Sequence, residues 1–192
     1  ESTIGDIDEN SYSQALYLEA EWKPLSRFTL IPGLRLDYLR IGPFRKWTFD
    51  PRITSKVEIL RKKLFVNAAV GVFHQEPFFP ELYEVSGGNP DLRHTRSIHT
   101  SLGLFWQIRD SLTLETTAFY KHITNNIVGS SLTVYRDGRV ALEGRSNLGK
   151  GRIYGGELLI KKKPDRDCPK FLKMQKCFGW LSYTILRSER RD

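Results

Sequence analysis

Apolar and polar residues alternate along most of this chain, and no other feature limits its fold as strongly. The segment WTFDPRITSKVEI, residues 47–59, shows the pattern clearly. One phase holds the apolar residues Phe49, Pro51, Ile53, Val57 and Ile59, and the other holds Asp50, Arg52, Thr54, Lys56 and Glu58. Because the side chains of a β-strand point alternately to its two faces, this segment is predicted to be a strand with one apolar and one charged face.

The same alternation recurs in about eight segments, from SYSQALYLEAEW near the N-terminus to FGWLSYTIL near the C-terminus. The chain is therefore predicted to be all-β, an antiparallel meander of about eight long strands, with no helix longer than about three turns between residues 10 and 160. In KLFVNAAVGVF, we expect the apolar phase on the convex, lipid-facing side and Asn67 on the opposite side. That apolar phase contains Leu64, Val66, Ala68, Val70 and Val72.

The connections between the predicted strands differ in length from one end of the sheet to the other. KPLSR, LRKK and QIRDS are short, whereas residues 77–95 and 129–147 are predicted to be long joins, with a hairpin turn at Asp137 and Gly138. Short turns at one end and long loops at the other are typical of transmembrane β-barrels. The segment around Cys168 departs from this pattern, because it should be a short turn and is not.

Either face of an alternating sheet can be the buried one, so a soluble sheet explains each strand taken singly. Strand length favours a membrane barrel, because the predicted strands have about 10 to 13 residues and a tilted strand needs about 9 to 11 to cross a bilayer. Aromatic residues near the strand ends also favour it, as at membrane interfaces. These aromatic residues are Trp22, Phe28, Tyr38, Trp47 and Trp106.

The formal net charge of +8 admits a second interpretation. A basic sheet suits nucleic acid, so the alternative function is a soluble basic all-β binding module for a nucleic acid or protein partner. The basic residues concentrate at turns and strand ends, as in LRKK, KKKPDR and RSERR, rather than among the aromatic residues. We therefore favour the barrel and expect no nucleic-acid partner.

Residues 73–190 resemble the barrel of the TonB-dependent outer-membrane receptors. The resemblance rests on the stretches FHQEPFFPELYEVSGGNPDLRHTRSIHTSLGL, LTLETTAFYKHITNNIVG, NLGKGRIYGGELLIKK and GWLSYTILRSE, in this order. The residues that match the family pattern are Gly88, Asn89, Pro90, Leu92, Phe119, Tyr120, Ile127, Asn147, Gly155, Gly156, Glu157, Ser182, Tyr183 and Thr184. His94 and Thr95 stand where the family usually has proline and glutamate, and residues 1–72 carry no sharp motif.

The resemblance implies that residues 1–192 are part of a large transmembrane β-barrel of about 22 strands, from which the plug domain and the remaining strands are absent. The implied function is uptake of a scarce ligand, such as an iron-siderophore or cobalamin, through the outer membrane of a Gram-negative bacterium. Implied partners are the outer-membrane lipid, TonB through the absent plug region, and a small-molecule ligand such as a metal chelate. By itself the chain is expected neither to close a barrel nor to transport.

Within this framework, Gly87, Gly88, Asn89 and Pro90 are expected to form the turn that ends a long loop and fixes where the next strand begins. Gly155 and Gly156 are expected to relieve crowding in a strand, with Glu157 facing the lumen. The candidate ligand contacts are Phe78, Phe79, Glu81, Tyr83 and Arg93, which lie in or just after the long loop; packing of the loop is the alternative role.

No motif predicts an enzyme, because the sequence shows neither a nucleophile elbow nor a phosphate-binding loop. We expect no catalytic residues, no cofactor and no metal site, since His74, His94, His99 and His122 do not follow a ligand spacing. Cys168 and Cys177 form either a local disulfide or two free thiols. The first residues, ESTIGDIDEN, show no signal peptide.

Overall fold

The computed structural model describes residues 10–42, 44–83, 88–136, 138–165 and 177–191. Within these residues, nine strands follow one another, with one short 3₁₀ turn, Phe79–Leu82, between the fifth and the sixth. The strands are β1 Ser11–Glu19, β2 Trp22–Leu25, β3 Phe28–Ile41, β4 Phe44–Leu60, β5 Leu64–Gln75, β6 Thr95–Arg109, β7 Leu112–Arg136, β8 Arg139–Asp165 and β9 Cys177–Arg191.

All nine strands belong to one antiparallel sheet in which β3 to β9 pair in sequence order. β1 and β2 both pair with β3, and a short break at residues 20–21 separates them, so they occupy a single position in the wall. The predicted meander of about eight long strands is thereby confirmed. Among the described residues, no helix is long and apolar enough to cross a membrane.

The register of the sheet separates the two phases that the sequence predicted. Ile53 of β4 pairs with Val70 of β5, and both line a shallow apolar surface groove with Phe28 and Leu30. The other phase brings together the polar residues Lys56, Asn67, Glu115 and Thr117. We call the apolar face the outer face and the polar face the inner face, because a wide transmembrane barrel turns its apolar side to lipid and its polar side to the lumen.

Two predicted dimensions were wrong. Strands β3 to β9 contain 12 to 27 residues, so most are longer than the pattern indicated. Residues 129–147 do not form a long loop, because β7 and β8 continue through them as a paired hairpin. The alternation of β-branched and aromatic residues in LTVY and RVAL supports this pairing, and Gly138, with a φ of +79°, lies in the turn.

A small apolar cluster lies at the end of the sheet that carries the long loop. Its buried members are Leu39, Ile41, Phe44, Leu82 and Leu92, and Phe79, Tyr83 and Ile127 pack against it. Leu39 and Ile41 belong to the same phase of β3 as Arg35 and Asp37. The 3₁₀ turn and the segment 88–94 therefore fold over the inner face rather than standing away from the wall.

Candidate ligand pocket on the inner face

A polar pocket of about 470 Å³ lies on the inner face beside this apolar cluster. Strands β3, β4 and β5 and residue His94 supply most of its wall. Its charged and imidazole side chains are Arg35, Asp37, Lys46, Asp50, Arg52, His74, Glu76 and His94. Ile41 at the end of β3 pairs with Phe44 at the start of β4, so the register is fixed and the charged phases of the two strands face the same side.

Ion pairs hold most of these side chains in place. Arg35 donates to both oxygens of Asp37, from Nε to Oδ2 at 2.8 Å and from a terminal nitrogen to Oδ1 at 2.8 Å. Arg52 donates to Glu19 Oε2 at 3.1 Å and also contacts the Tyr17 hydroxyl. The pocket thus presents fixed donors and acceptors of both charges, an arrangement suited to a polar organic ligand.

Asp50 and His74 form a second pair across the β4–β5 boundary. The pairing of these strands ends at Arg52 and Gly71. Beyond that point the His74 ring reaches Asp50, with 2.5 Å between Nδ1 and Oδ1. The His74 backbone N–H also donates to Asp50 Oδ2 at 3.3 Å. Asp50 therefore holds the His74 ring at the edge of the pocket.

His94 lies between this pair and the apolar cluster. Its ring is 6.4 Å from the His74 ring and 5.4 Å from the Phe44 ring, measured between centroids. Burial lowers the pKa of His94, and electrostatic interactions with the neighbouring His74 and Lys46 side chains lower it further. His94 is therefore poised as a neutral imidazole, able to accept or donate one hydrogen bond to a ligand.

The sequence did not predict that these residues meet. His74 and His94 are separated by the whole long loop, and only the pairing of β5 with β6 places both at the same end of the sheet. One signal was present: the predicted charged phase of WTFDPRITSKVEI already contained Asp50 and Arg52, next to Arg35 and Asp37 in the neighbouring strand. Within the described residues, no group of three His, Cys, Asp or Glu side chains is arranged to hold a metal ion.

The predicted ligand contacts of the long loop occupy three different environments. Phe79 and Tyr83 lie 4.8 Å apart between ring centroids and pack against the apolar cluster. The Glu81 carboxylate accepts a hydrogen bond from the Phe78 backbone N–H at 2.9 Å, while the Phe78 ring is exposed. Arg93 is exposed. None of these five lines the inner-face pocket, and their contact with a ligand stays a prediction.

Gly88 and Asn89 make a tight crossing with the 3₁₀ turn. The backbone N–H groups of Gly88 and Asn89 donate to the carbonyl oxygens of Tyr83 and Glu81, at 2.9 and 2.7 Å. A Cβ at Gly88 would lie 2.4 Å from the Glu81 oxygen, so only glycine fits. Pro90 begins the turn that follows, and Gly87 lies outside the described residues.

Asn89 also ties this segment to the β7–β8 hairpin. Its Nδ2 donates to the Arg145 carbonyl oxygen at 2.8 Å, and its Oδ1 accepts from Arg136 at 2.7 Å. Arg136 lies at the tip of the hairpin, opposite Arg139, whereas Arg145 lies farther down. Since both contacts reach one asparagine, the hairpin bends back over residues 88–93, with shifts in its register near residues 126 and 131.

Asn147 makes the second tie. Its Oδ1 accepts from the Arg93 backbone N–H at 2.7 Å, and its Nδ2 donates to the Arg93 and Asn125 carbonyl oxygens at 2.9 and 2.8 Å. Asn125 adopts a positive φ of 54°, at a bulge in β7. The segment predicted as a simple turn is thus clamped to β7 and β8 by two asparagines.

The remaining predicted residues lie in the strands. Glu157 pairs with Thr117 and Thr184, in the same phase as Glu115, on the inner face. A Cβ at Gly155 would lie 2.3 Å from the Ile185 carbonyl oxygen, whereas at Gly156 the nearest atom is 3.7 Å away. Only Gly155 is therefore required by close packing. Cys177 is disulfide-bonded, and Cys168 and Asp137 lie outside the described residues.

Comparison with known proteins identifies the architecture. The family model described as TonB dependent receptor-like, beta-barrel matches residues 2–191. The siderophore receptor PirA from Pseudomonas aeruginosa is similar over 92% of this chain and 32% of its own, with 21% identity and a TM-score of 0.67. The FrpB iron transporter from Neisseria meningitidis, in its F5-1 apoprotein form, is similar over 95% and 26%, with 14% identity and a TM-score of 0.66.

A copper transporter, OprC, is similar over 94% of this chain and 30% of its own, with 16% identity and a TM-score of 0.64. The chain therefore spans about a quarter to a third of the length of these solved structures. No curated protein matches the sequence. At these identities the structural likeness establishes the fold, and the ligand has to be argued from the pocket itself.

Proposed function

Because the chain belongs to the TonB-dependent receptor β-barrel family, we propose that it is one section of the wall of a receptor that takes up a small polar ligand. The receptor lies in the outer membrane of a Gram-negative bacterium. TonB drives it through a plug that is not part of these 192 residues. The ligand class is a metal chelate such as an iron-siderophore, or a comparably sized cofactor such as cobalamin.

The inner-face pocket is the observation that carries this proposal. It lies at the end of the sheet with the long loop, where a ligand arriving from outside would enter a barrel of this family. Its lining includes Arg35, Lys46 and Arg52 as cations and Asp37, Asp50 and Glu76 as anions. A chelate presents carboxylate, hydroxyl and amide oxygens on its surface, and these charges match such groups.

Similarity to a siderophore receptor, an iron transporter and a copper transporter supports uptake of a metal-bearing ligand. A basic soluble module gains no comparable support. Its apolar side chains should lie in a closed core, yet Leu16, Leu18, Phe49 and Val70 of the apolar phase are exposed on the outer face. Lipid is the medium that accommodates such a face.

The test uses the complete receptor, expressed in a Gram-negative host that lacks its own siderophore receptors, with and without TonB. Uptake of a panel of radiolabelled ferric siderophores and cobalamin is measured. We expect saturable uptake of one of these ligands that disappears without TonB. Uptake that continues without TonB, or binding of none of these ligands, would contradict the proposal.

Two lysines on the same face of β4 provide a matched pair of variants. Lys46 lines the pocket and lies 6.0 Å from the Phe44 ring, whereas Lys56 lies outside the pocket and 4.4 Å from the Phe65 ring. We expect Lys46→Gln to raise the KM for an anionic ligand by about tenfold, as for the loss of one charge-assisted hydrogen bond. Lys56→Gln should leave the KM unchanged. Equal effects of the two variants would show that the pocket is not the ligand site.

A further inference from the structure

Most of the charged residues on the outer face of the wall lie at one end of the sheet. The register of β1 to β9 assigns each charged residue of the described strands to one of the two faces. The bent hairpin beyond residue 125 of β7 and before residue 150 of β8 is left aside. The outer-face charged residues at the long-loop end are Arg40, Arg45, Arg96, Lys150, Arg152, Arg187, Glu189 and Arg191, whereas Arg109 and Lys162, which both pair with Leu112, lie at the other end. Seven cations thus accompany one carboxylate at the long-loop rim.

Aromatic side chains separate this rim from the apolar part of the outer face. Tyr38 pairs with Trp47, with 4.7 Å between ring centroids, and the next outer-face pair towards the rim is Arg40 with Arg45. Farther along the wall, Tyr120 stacks on Tyr154 at 6.4 Å. Tyrosine and tryptophan mark the depth of the membrane–water interface. The cations immediately beyond them therefore lie at the depth of the lipid headgroups.

The densest part of the rim lies on β8 and β9. The Glu189 carboxylate accepts from Arg152 Nε at 2.5 Å, from Arg187 Nε at 2.7 Å and from the Tyr154 hydroxyl at 3.2 Å. In these 192 residues, where β9 is an edge strand, the side chains of Arg152 and Arg187 are 55% and 71% exposed. One carboxylate thus orients two guanidinium groups that still face outwards.

Lys150 and Arg191, a directly paired couple on the same face, complete this group. The four cations Lys150, Arg152, Arg187 and Arg191 and the one carboxylate Glu189 leave a net charge of +3. With Tyr120 and His122, most of them border a depression of about 360 Å³. We call Lys150, Arg152, Arg187, Glu189 and Arg191 the rim cluster.

We propose that the rim cluster binds the phosphate groups of membrane lipid headgroups on the long-loop side of the membrane. Planar guanidinium groups donate paired hydrogen bonds to phosphate oxygens, and orienting two of them in advance lowers the entropic cost of binding. A lipid is the fitting source of the phosphate because the cluster lies on the outer, membrane-side face and not on the face towards the lumen. It begins at the aromatic belt, where Arg187 pairs with Tyr154, and continues beyond it. A basic pocket at headgroup depth is a recognised way for proteins to hold anionic lipids.

The experiment uses the complete receptor purified in detergent and mixed with phosphatidylcholine micelles that contain lipid A, a phosphorylated glycolipid. Bound lipid is counted by native mass spectrometry. We expect R152Q/R187Q to weaken lipid A binding by about thirtyfold, from the loss of two cations near the membrane surface. Lys162→Gln, on the same face at the opposite rim, should bind lipid A as the unaltered receptor does. Equal binding by R152Q/R187Q and the unaltered receptor would overturn the proposal.

Two further arms identify the source of the phosphate. Lipid A from which the phosphates have been removed should bind equally weakly to the unaltered receptor and to R152Q/R187Q, and inorganic phosphate should not displace intact lipid A. Displacement by inorganic phosphate would show that the site takes a free anion and would overturn the lipid assignment. If R152Q/R187Q does not fold, K150Q/R191Q tests the same cluster, with the melting temperature in detergent as the check on folding.

Discussion

Replacing Asn147 by alanine tests whether this one side chain holds the segment 88–94 in place. It would do so by making the hydrogen bonds that a neighbouring strand normally makes. The Asn147 carboxamide accepts from the Arg93 N–H and donates to the Arg93 C=O. This is the exchange of two hydrogen bonds that a neighbouring residue makes in an antiparallel ladder. A third bond joins it to the Asn125 carbonyl oxygen. Asn147→Ala removes all three while leaving the backbone of β8 in place.

The loss of stability in Asn147→Ala depends on the backbone groups that lose their hydrogen bonds. Each hydrogen bond contributes about 0.5–1.5 kcal/mol net, so three would give about 1.5–4.5 kcal/mol. The lower end applies here, because Arg93 is exposed and water can solvate its backbone, and because Asn125 O still accepts from Thr95 Oγ1 at 3.2 Å. We expect a loss of about 2 kcal/mol, confined to the loop. The Arg93 amide should then exchange its hydrogen about thirtyfold faster.

Hydrogen exchange of the complete receptor in detergent, read by mass spectrometry over the peptide that contains Arg93, measures this change. Asn147→Asp preserves the shape but replaces the donor by an anion facing two carbonyl oxygens, so it should accelerate exchange as well. Asn67→Ala, on the inner face of β5, should leave the peptide unchanged. The reasoning fails if Asn147→Ala exchanges like the unaltered receptor, or if Asn147→Asp does so while Asn147→Ala does not.

Three other changes should have distinct effects. Gly88→Ala places a Cβ against the Glu81 carbonyl oxygen and should release the loop as strongly as Asn147→Ala, measured by the same exchange; unchanged protection would show that the crossing can shift. Because the pKa of His94 lies below its usual 6.5, the unfolded loop binds the extra proton more readily, so loop stability should be full above about pH 6.5 and fall as the pH drops below it. After correction for intrinsic rates, this acid-induced exchange should vanish in His94→Gln, and its persistence would assign it to another group. Residues 1–192 expressed alone should need detergent, because the outer edges of β1 and β9 would lack neighbours; a soluble monodisperse monomer in size-exclusion chromatography would contradict this.

The strands of the wall could be predicted from the sequence because they depend on residues that are close together along the chain. Alternation assigns each residue to a face, and a turn as short as that between Ile41 and Phe44 then fixes the register of the next strand. From residues such as Asp50 and Ile53, the sequence alone therefore predicts which side chains share a face. The face on which Asn67 and Val70 lie follows from the same rule.

The pocket and its cover were not predictable in this way, because they depend on contacts between distant segments. His74 meets Asp50 only where β4 and β5 stop pairing, and alternation alone places His74 in the outer phase. The hairpin over residues 129–147 contains enough Gly, Ser and Arg to suggest a loop, yet cross-strand pairs such as Val134 with Ala141 hold it as strands. The bend that brings Arg136 to Asn89 leaves no signal in the local pattern.

The two asparagine ties also determine the order in which this part of the protein can be built. From β3 to β9 each strand pairs with the next strand in sequence, and most of these pairs close only a short stretch of chain. The contacts of Asn89 with Arg145 and of Asn147 with Arg93 instead join residues 56 and 54 positions apart. They cannot form until β8 has been added to β7. During assembly the segment 88–94 can pack against β3 and β4 before β8 is present. It is tied down over the inner face only when β8 arrives, a strand that contributes no residue to the wall of the pocket.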